Sequence, residues 1–110
     1  MNRDNPDPAD VLEALVKALV EALHPARIVL FGSRARGDAR PDSDWDLLVI
    51  ADTDLDRAER EFVAHRATWG VNVPKDILVF TPAEVARYAS WRSCMPSIAL
   101  REGRVVYEAT

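Results

Sequence analysis

The sequence predicts an α/β domain, a short mixed β-sheet flanked by helices in a two-layer (α+β) arrangement. Three observations carry this. Ile28–Phe31, Leu47–Ala51 and Ile77–Phe80 are short β-branched, aliphatic or aromatic runs with the length of buried strands. Segments with helical periodicity or helix-start residues alternate with them. The chain has 110 residues, 48% hydrophobic and 29% charged, which suits one globular domain over residues 1–110 and excludes a disordered polymer.

Residues 1–6 are polar and are expected to fray. Asp7 and Pro8 read as an N-cap and a first helical residue. Val11, Leu12, Leu15, Val16, Leu19, Val20 and Leu23 then recur at helical spacing, until Pro25 stops the helix. Ile28–Phe31 is the first strand and ends at Gly32. Residues 32–43 read as a turn, a short helix and a loop. Leu47–Ala51 is the second strand. Leu55–Thr68 is helical, with Asp56, Arg57, Glu59, Arg60 and Glu61 on its polar face and Leu55, Ala58, Phe62 and Val63 on its apolar side; Gly70 ends it. Ile77–Phe80 is the third strand. Thr81-Pro82-Ala83-Glu84 combines a threonine cap, a first-position proline and a capping-box glutamate, so Val85 to about Trp91 is helix. Ser97–Arg101 adds a turn or two of helix, Gly103 breaks it, and Val105–Tyr107 closes as an edge strand.

The formal net charge is −4 and the isoelectric point about 5.1. That balance argues against gripping duplex nucleic acid with a basic face, and with the small size it disfavours a polymerase or terminal transferase. A single phosphate chain needs only a few local cations and a metal. No apolar run approaches the ~20 residues of a membrane span, and no basic-then-apolar leader is visible. Cys94 alone makes no internal disulfide and no cysteine-rich metal site. The expected location is the cytoplasm.

One stretch carries chemistry: Gly32-Ser33-Arg34-Ala35-Arg36-Gly37, followed by Asp42-Ser43-Asp44-Trp45-Asp46. Gly32 sits where a strand gives way to a short helix. Such a turn directs backbone N–H groups outward, and the missing Cβ lets a phosphate approach. Ser33 adds a hydroxyl donor. Asp44 and Asp46 are two residues apart at a strand start, so both carboxylates face one way. Paired carboxylates make sense around a hard divalent cation such as Mg²⁺, which also takes phosphate oxygens. Asp76 precedes the third strand as Asp46 precedes the second. If those strands are neighbours, three carboxylates meet at one edge of the sheet, enough for a two-metal site.

Gly32-Ser33, ten residues, then Asp44-x-Asp46 resembles the signature of the DNA polymerase β-like nucleotidyltransferase superfamily. Gly-Ser-x-Ala-Arg-Gly followed by Ser-Asp-x-Asp-Leu is similar to its minimal (MNT) group. Phe31, Leu47 and the closing Glu102-Gly103-Arg104-Val105-Val106-Tyr107 fit as well, so the resemblance covers nearly the whole chain. It implies the nucleotidyltransferase fold. It implies that Gly32 and Ser33 bind the β- and γ-phosphates of ATP, and that Asp44 and Asp46 bind the catalytic Mg²⁺ ions. Asp76 would hold the second of two Mg²⁺ ions and lower the pKa of the attacking hydroxyl. It further implies a helical HEPN-type toxin as partner, this chain as its antitoxin, and AMP transfer from ATP to a tyrosine of that partner. The alternative is a non-catalytic antitoxin that neutralises its partner by binding alone.

The remaining polar residues read more plainly. Arg34 and Arg36 flank the turn, either to neutralise phosphate or as solvated loop residues, with Arg36 also able to pair with a local carboxylate. Asp38 and Asp42 are turn formers. His24 suits a helix C-terminus, and His65 and Cys94 have no partner group for chemistry. Trp45 alternates with the aspartates and belongs to the core; Trp69 and Trp91 are core or partner surface.

Overall fold

The computed structural model describes residues 7–110, so the expectation for residues 1–6 lies outside the described residues. The element order is α1 (Pro8–Leu23), β1 (Arg27–Phe31), α2 (Ser33–Arg36), β2 (Trp45–Ile50), α3 (Arg57–Ala67), β3 (Lys75–Phe80), α4 (Pro82–Tyr88), α5 (Met95–Glu102) and β4 (Arg104–Glu108). The four strands form one mixed sheet in the order β3-β2-β1-β4. β1 pairs antiparallel with both β2 and β4, while β2 and β3 run parallel, joined through α3. β4 is an edge strand, as its sequence predicts.

Strand alternation divides the core between the two faces of the sheet. Ile28, Leu30, Trp45, Leu47, Val49, Ile77 and Val79 pack on one face against Val11, Leu15 and Leu19 of α1 and Ala64 of α3. Val29, Phe31, Leu48, Ile50 and Phe80 point to the other face, which the short helices α4 and α5 cover in part through Val85, Tyr88 and Ala99. Even-numbered residues of β2 and β3 therefore share the second face, and Asp46 and Asp76 with them. Gly103, between α5 and β4, has no room for a Cβ, which would lie 2.5 Å from the Leu30 carbonyl oxygen and 2.6 Å from that of Ala99.

The local signals hold at most helix starts. Asp7 accepts a hydrogen bond from the Ala9 N–H, and Thr81 and Glu84 form the expected capping box. A second capping box, Asp56 with Glu59, starts α3. α4 stops at Tyr88, short of Trp91. β2 and β3 each begin two residues earlier than their apolar runs, so Asp46 and Asp76 lie inside the ladder rather than before it.

α3 is turned opposite to its apolar pattern. Arg60 and Ala64 face inward, Arg60 only 8% exposed, whereas Phe62 on the expected apolar side is 65% exposed. Arg60 earns its place through hydrogen bonds: its Nε donates to the Leu55 carbonyl (2.7 Å) and its Nη1 to Glu84 Oε1 (2.7 Å), linking α3 to α4. Burial opposes ionisation of Glu84, but the Thr81 N–H and the Arg60 guanidinium, which donate to its carboxylate, outweigh it and hold the carboxyl below the usual range. The depressed folded value means that this stabilisation is present above the unfolded-state value and is lost as pH falls through the folded one. Glu84→Gln is therefore expected to lower the melting temperature at neutral pH, and the gap to wild type should close on acidification below about pH 4. A gap that persists unchanged in acid would show that the carboxylate charge is not what matters.

Candidate active site

The turn after β1 is built around Gly32. Its backbone (φ 74°, ψ −159°) lies in a region essentially reserved for glycine. A Cβ there would also overlap Oδ2 of Asp46 and lie 3.1 Å from its Cγ. The missing side chain thus brings the backbone turn against a carboxylate. The carbonyl of Gly32 accepts from the N–H groups of Ala35 and Arg36 (both 3.1 Å), which folds residues 33–36 into the single turn of α2. Ser33 is its first residue, and its hydroxyl makes no hydrogen bond among the described residues.

The acidic residues are placed by strand register. Asp46 lies opposite Phe31 of β1 on one side and Asp76 of β3 on the other. The Trp45 N–H donates to the Pro74 carbonyl (2.9 Å) and anchors that register at the start of both strands. Asp44 stands two residues before Asp46, with Asp44 and Asp76 exposed and Asp46 half-buried. Burial pushes the Asp46 carboxyl up from its usual value. The charges of Asp76 and Asp44 push it further, and Arg36 opposes them. The structure therefore brings Asp46 next to Gly32 and Asp76 and within the field of Asp44. Among the described residues, no three acidic, histidine or cysteine side chains close into a ready-made metal cluster. The donors are all carboxylate oxygens that repel one another, which is the chemistry that fits a hard divalent cation such as Mg²⁺. Ser33 and the Gly32 turn are the groups beside them that fit an anionic phosphate.

Arg34 has a role the sequence did not disclose. Its Nη2 donates to the carbonyls of Ser43 (2.9 Å) and Pro41 (3.3 Å), and its guanidinium lies 4.3 Å above the Trp45 ring. It reaches back across the loop and braces the segment that delivers Asp44. The only clue was that an arginine stood eleven residues before a tryptophan framed by acids. Arg34→Met should keep the packing on Trp45, cost about 1–3 kcal/mol of stability through the lost hydrogen bonds, and make residues 37–43 more sensitive to limited proteolysis. Unchanged melting and proteolysis would contradict this role. Arg36 pairs with Asp38 at 3.4 Å in an exposed position. Lys75 donates to the Val71 carbonyl (2.8 Å), and burial lowers its pKa.

Other candidates from the sequence take structural places. His24 is the C-cap of α1 in a left-handed conformation (φ 47°), its N–H returned to Val20. Trp45 is buried in the core. Trp69 and Trp91 are not core: they are 83% and 59% exposed. Among the described residues no helix is long and apolar enough to cross a membrane.

Comparison with known proteins agrees with the motif. The family model described as "Nucleotidyltransferase domain" matches residues 12–103. Over 50 residues, 40% of this chain, the sequence is 42% identical to the "Putative protein adenylyltransferase MJ0604" of Methanocaldococcus jannaschii; the match spans 50% of that relative's length. Among solved structures, a "putative nucleotidyltransferase" from Sulfolobus solfataricus superposes with a TM-score of 0.57 at 23% identity, over 71% of this chain and 70% of that one. A toxin-antitoxin structure with AMP-PNP gives a TM-score of 0.63 at 20% identity, over 89% of this chain and 73% of that one. A mutant of the toxin-antitoxin pair MntA-HpeT gives 0.60 at 18% identity with the same coverage. At these identities the structures establish a shared fold.

Proposed function

The chain belongs to the nucleotidyltransferase domain family, and on that footing we propose that it transfers AMP from ATP to a hydroxyl of a protein partner, a tyrosine of a helical HEPN-type toxin, and so acts as an antitoxin. The observation that carries this reading is the register of Asp46 against Asp76, with Gly32 packed on the Asp46 carboxylate. Gly32 and Ser33 would hold the β- and γ-phosphates. Asp44, Asp46 and Asp76 would hold two Mg²⁺ ions, which would supply charge stabilisation as the acceptor hydroxyl oxygen bonds to the α-phosphorus, loses its proton, and pyrophosphate leaves with the broken α–β bond. In this reading Asp76 orients the acceptor hydroxyl and lowers its pKa, and Arg34 keeps the Asp44 loop in place. The relatives named for protein adenylyltransfer and for toxin-antitoxin assembly support the choice of acceptor.

The aromatic surface supports a protein acceptor. Trp69 lies in the loop that leads from α3 into β3, one strand start away from Asp76, and Phe62 is exposed on the same helix. In this reading a partner docked on that loop would approach the end of the sheet where β3 begins. Trp69→Ala is expected to leave the fold unchanged and weaken partner binding by about 10- to 100-fold, measured by calorimetry; equal affinity would place the interface elsewhere. The function itself is tested by intact-mass spectrometry of the toxin co-expressed with this chain. A gain of one AMP that disappears with Asp44→Asn/Asp46→Asn supports transfer. An unmodified toxin that the double variant still neutralises would favour inhibition by binding alone.

A further inference from the structure

We infer that the face formed by α1 and β4 is a two-fold interface between two copies of this chain. α1 carries more apolar surface than its own sheet covers. Val11, Leu15 and Leu19 are buried in the core, while a second stripe, Leu12, Val16 and Val20, stays half-buried. That second stripe lines an open groove of about 650 Å³, closed on its far side by Val106 and Tyr107.

An interface between identical copies must be complementary to itself, and the outer surface of α1 has that pattern. Leu12 and Val20 stand four residues either side of Val16, and Glu13 and Glu21 stand four residues either side of Lys17. Two α1 helices crossing antiparallel near Val16 bring the Glu13–Lys17–Glu21 row of one copy alongside that of the other, so Lys17 can pair with the other copy's Glu13 beside a shared apolar ridge. Residues spaced by four form the ridges that interlock in the commonest class of helix crossing. All three charged residues border the groove.

The neighbouring sheet edge is protected against the same encounter. The β1–β4 pairing is irregular between Ile28 and Val29, which leaves an extra residue in β4, and Arg104 and Glu108 place charges at the ends of the strand. Glu108 is already paired with Arg27 at 3.0 Å. Bulges and charges discourage strand-to-strand addition, so the helix face rather than the strand edge is the contact.

Sedimentation of the isolated chain at micromolar concentration tests this. The expected mass is twice the 12.3 kDa of one chain. Val16→Glu and Lys17→Glu should each give a monomer, with circular dichroism melting to verify folding. The charge-reversed triple variant Glu13→Lys/Lys17→Glu/Glu21→Lys should be dimeric again. A monomeric wild type would overturn the inference, as would a dimer that survives both single substitutions. A monomeric wild type that loses toxin binding on Val16→Glu would assign the groove to the toxin instead.

Discussion

Asp46→Asn is expected to reduce nucleotide transfer by about a thousandfold or more, while the folded state is kept or strengthened. The loss follows from the position of Asp46 between Gly32 and Asp76, where it would contribute to the charge stabilisation that such sites supply. The stability gain follows from crowding. Burial and the charges of Asp76 and Asp44 disfavour its ionised form, so at neutral pH the folded chain carries a charge it would prefer to lose. A raised folded value gives stability that is fully present below the unfolded value and lost as pH rises through the folded one. The neutral amide removes that loss, so the melting temperature in chelator at pH 7 should rise, and the advantage should vanish in acid. A variant that unfolds instead would make Asp46 a structural residue.

Gly32→Ala is the second large effect, and it strikes both fold and site. The methyl group would sit on the Asp46 carboxylate while the backbone is held at φ 74° and ψ −159°. Relief requires the Asp46 carboxylate to swing out of its place in the site or the turn to change its dihedral angles. The expected cost is about 2–4 kcal/mol, a fall of ~10 °C or more in melting temperature for a chain of this size, with transfer lost even where the variant remains folded. Gly37→Ala provides the contrast. Its φ is also positive, but a Cβ there meets nothing within 4 Å, so it should cost only the backbone strain and spare activity. Equal behaviour of the two variants would mean that conformation, not contact with Asp46, explains Gly32.

The parts of the structure legible in the sequence are those governed by local physics. The strand runs are short and bounded by turn residues, and Asp7 and Thr81 announce helix starts by cap chemistry. Asp44, Asp46 and Asp76 were visible as acids at strand starts, and Gly32 as the turn that ends the first strand. What was not legible depends on partners far along the chain. Arg60 belongs to a polar stripe by pattern, yet its inward turn depends on Glu84, 24 residues later. The glycine at position 32 reads as room for a phosphate, whereas in the structure the Asp46 carboxylate lies where its Cβ would be. Arg34 looked like any loop arginine until the loop folded back over Trp45.

The most direct test of the site is paramagnetic relaxation of the backbone amides by Mn²⁺ in the presence of a non-hydrolysable ATP analogue. Mn²⁺ takes the same oxygen donors as Mg²⁺ and broadens only nearby resonances. Broadening is expected only at the Gly32 turn, the start of β2 around Asp44 and Asp46, and the start of β3 around Asp76, all abolished by Asp46→Asn. Broadening centred on another acidic surface, or a pattern that Asp46→Asn leaves intact, would contradict this placement of the metals.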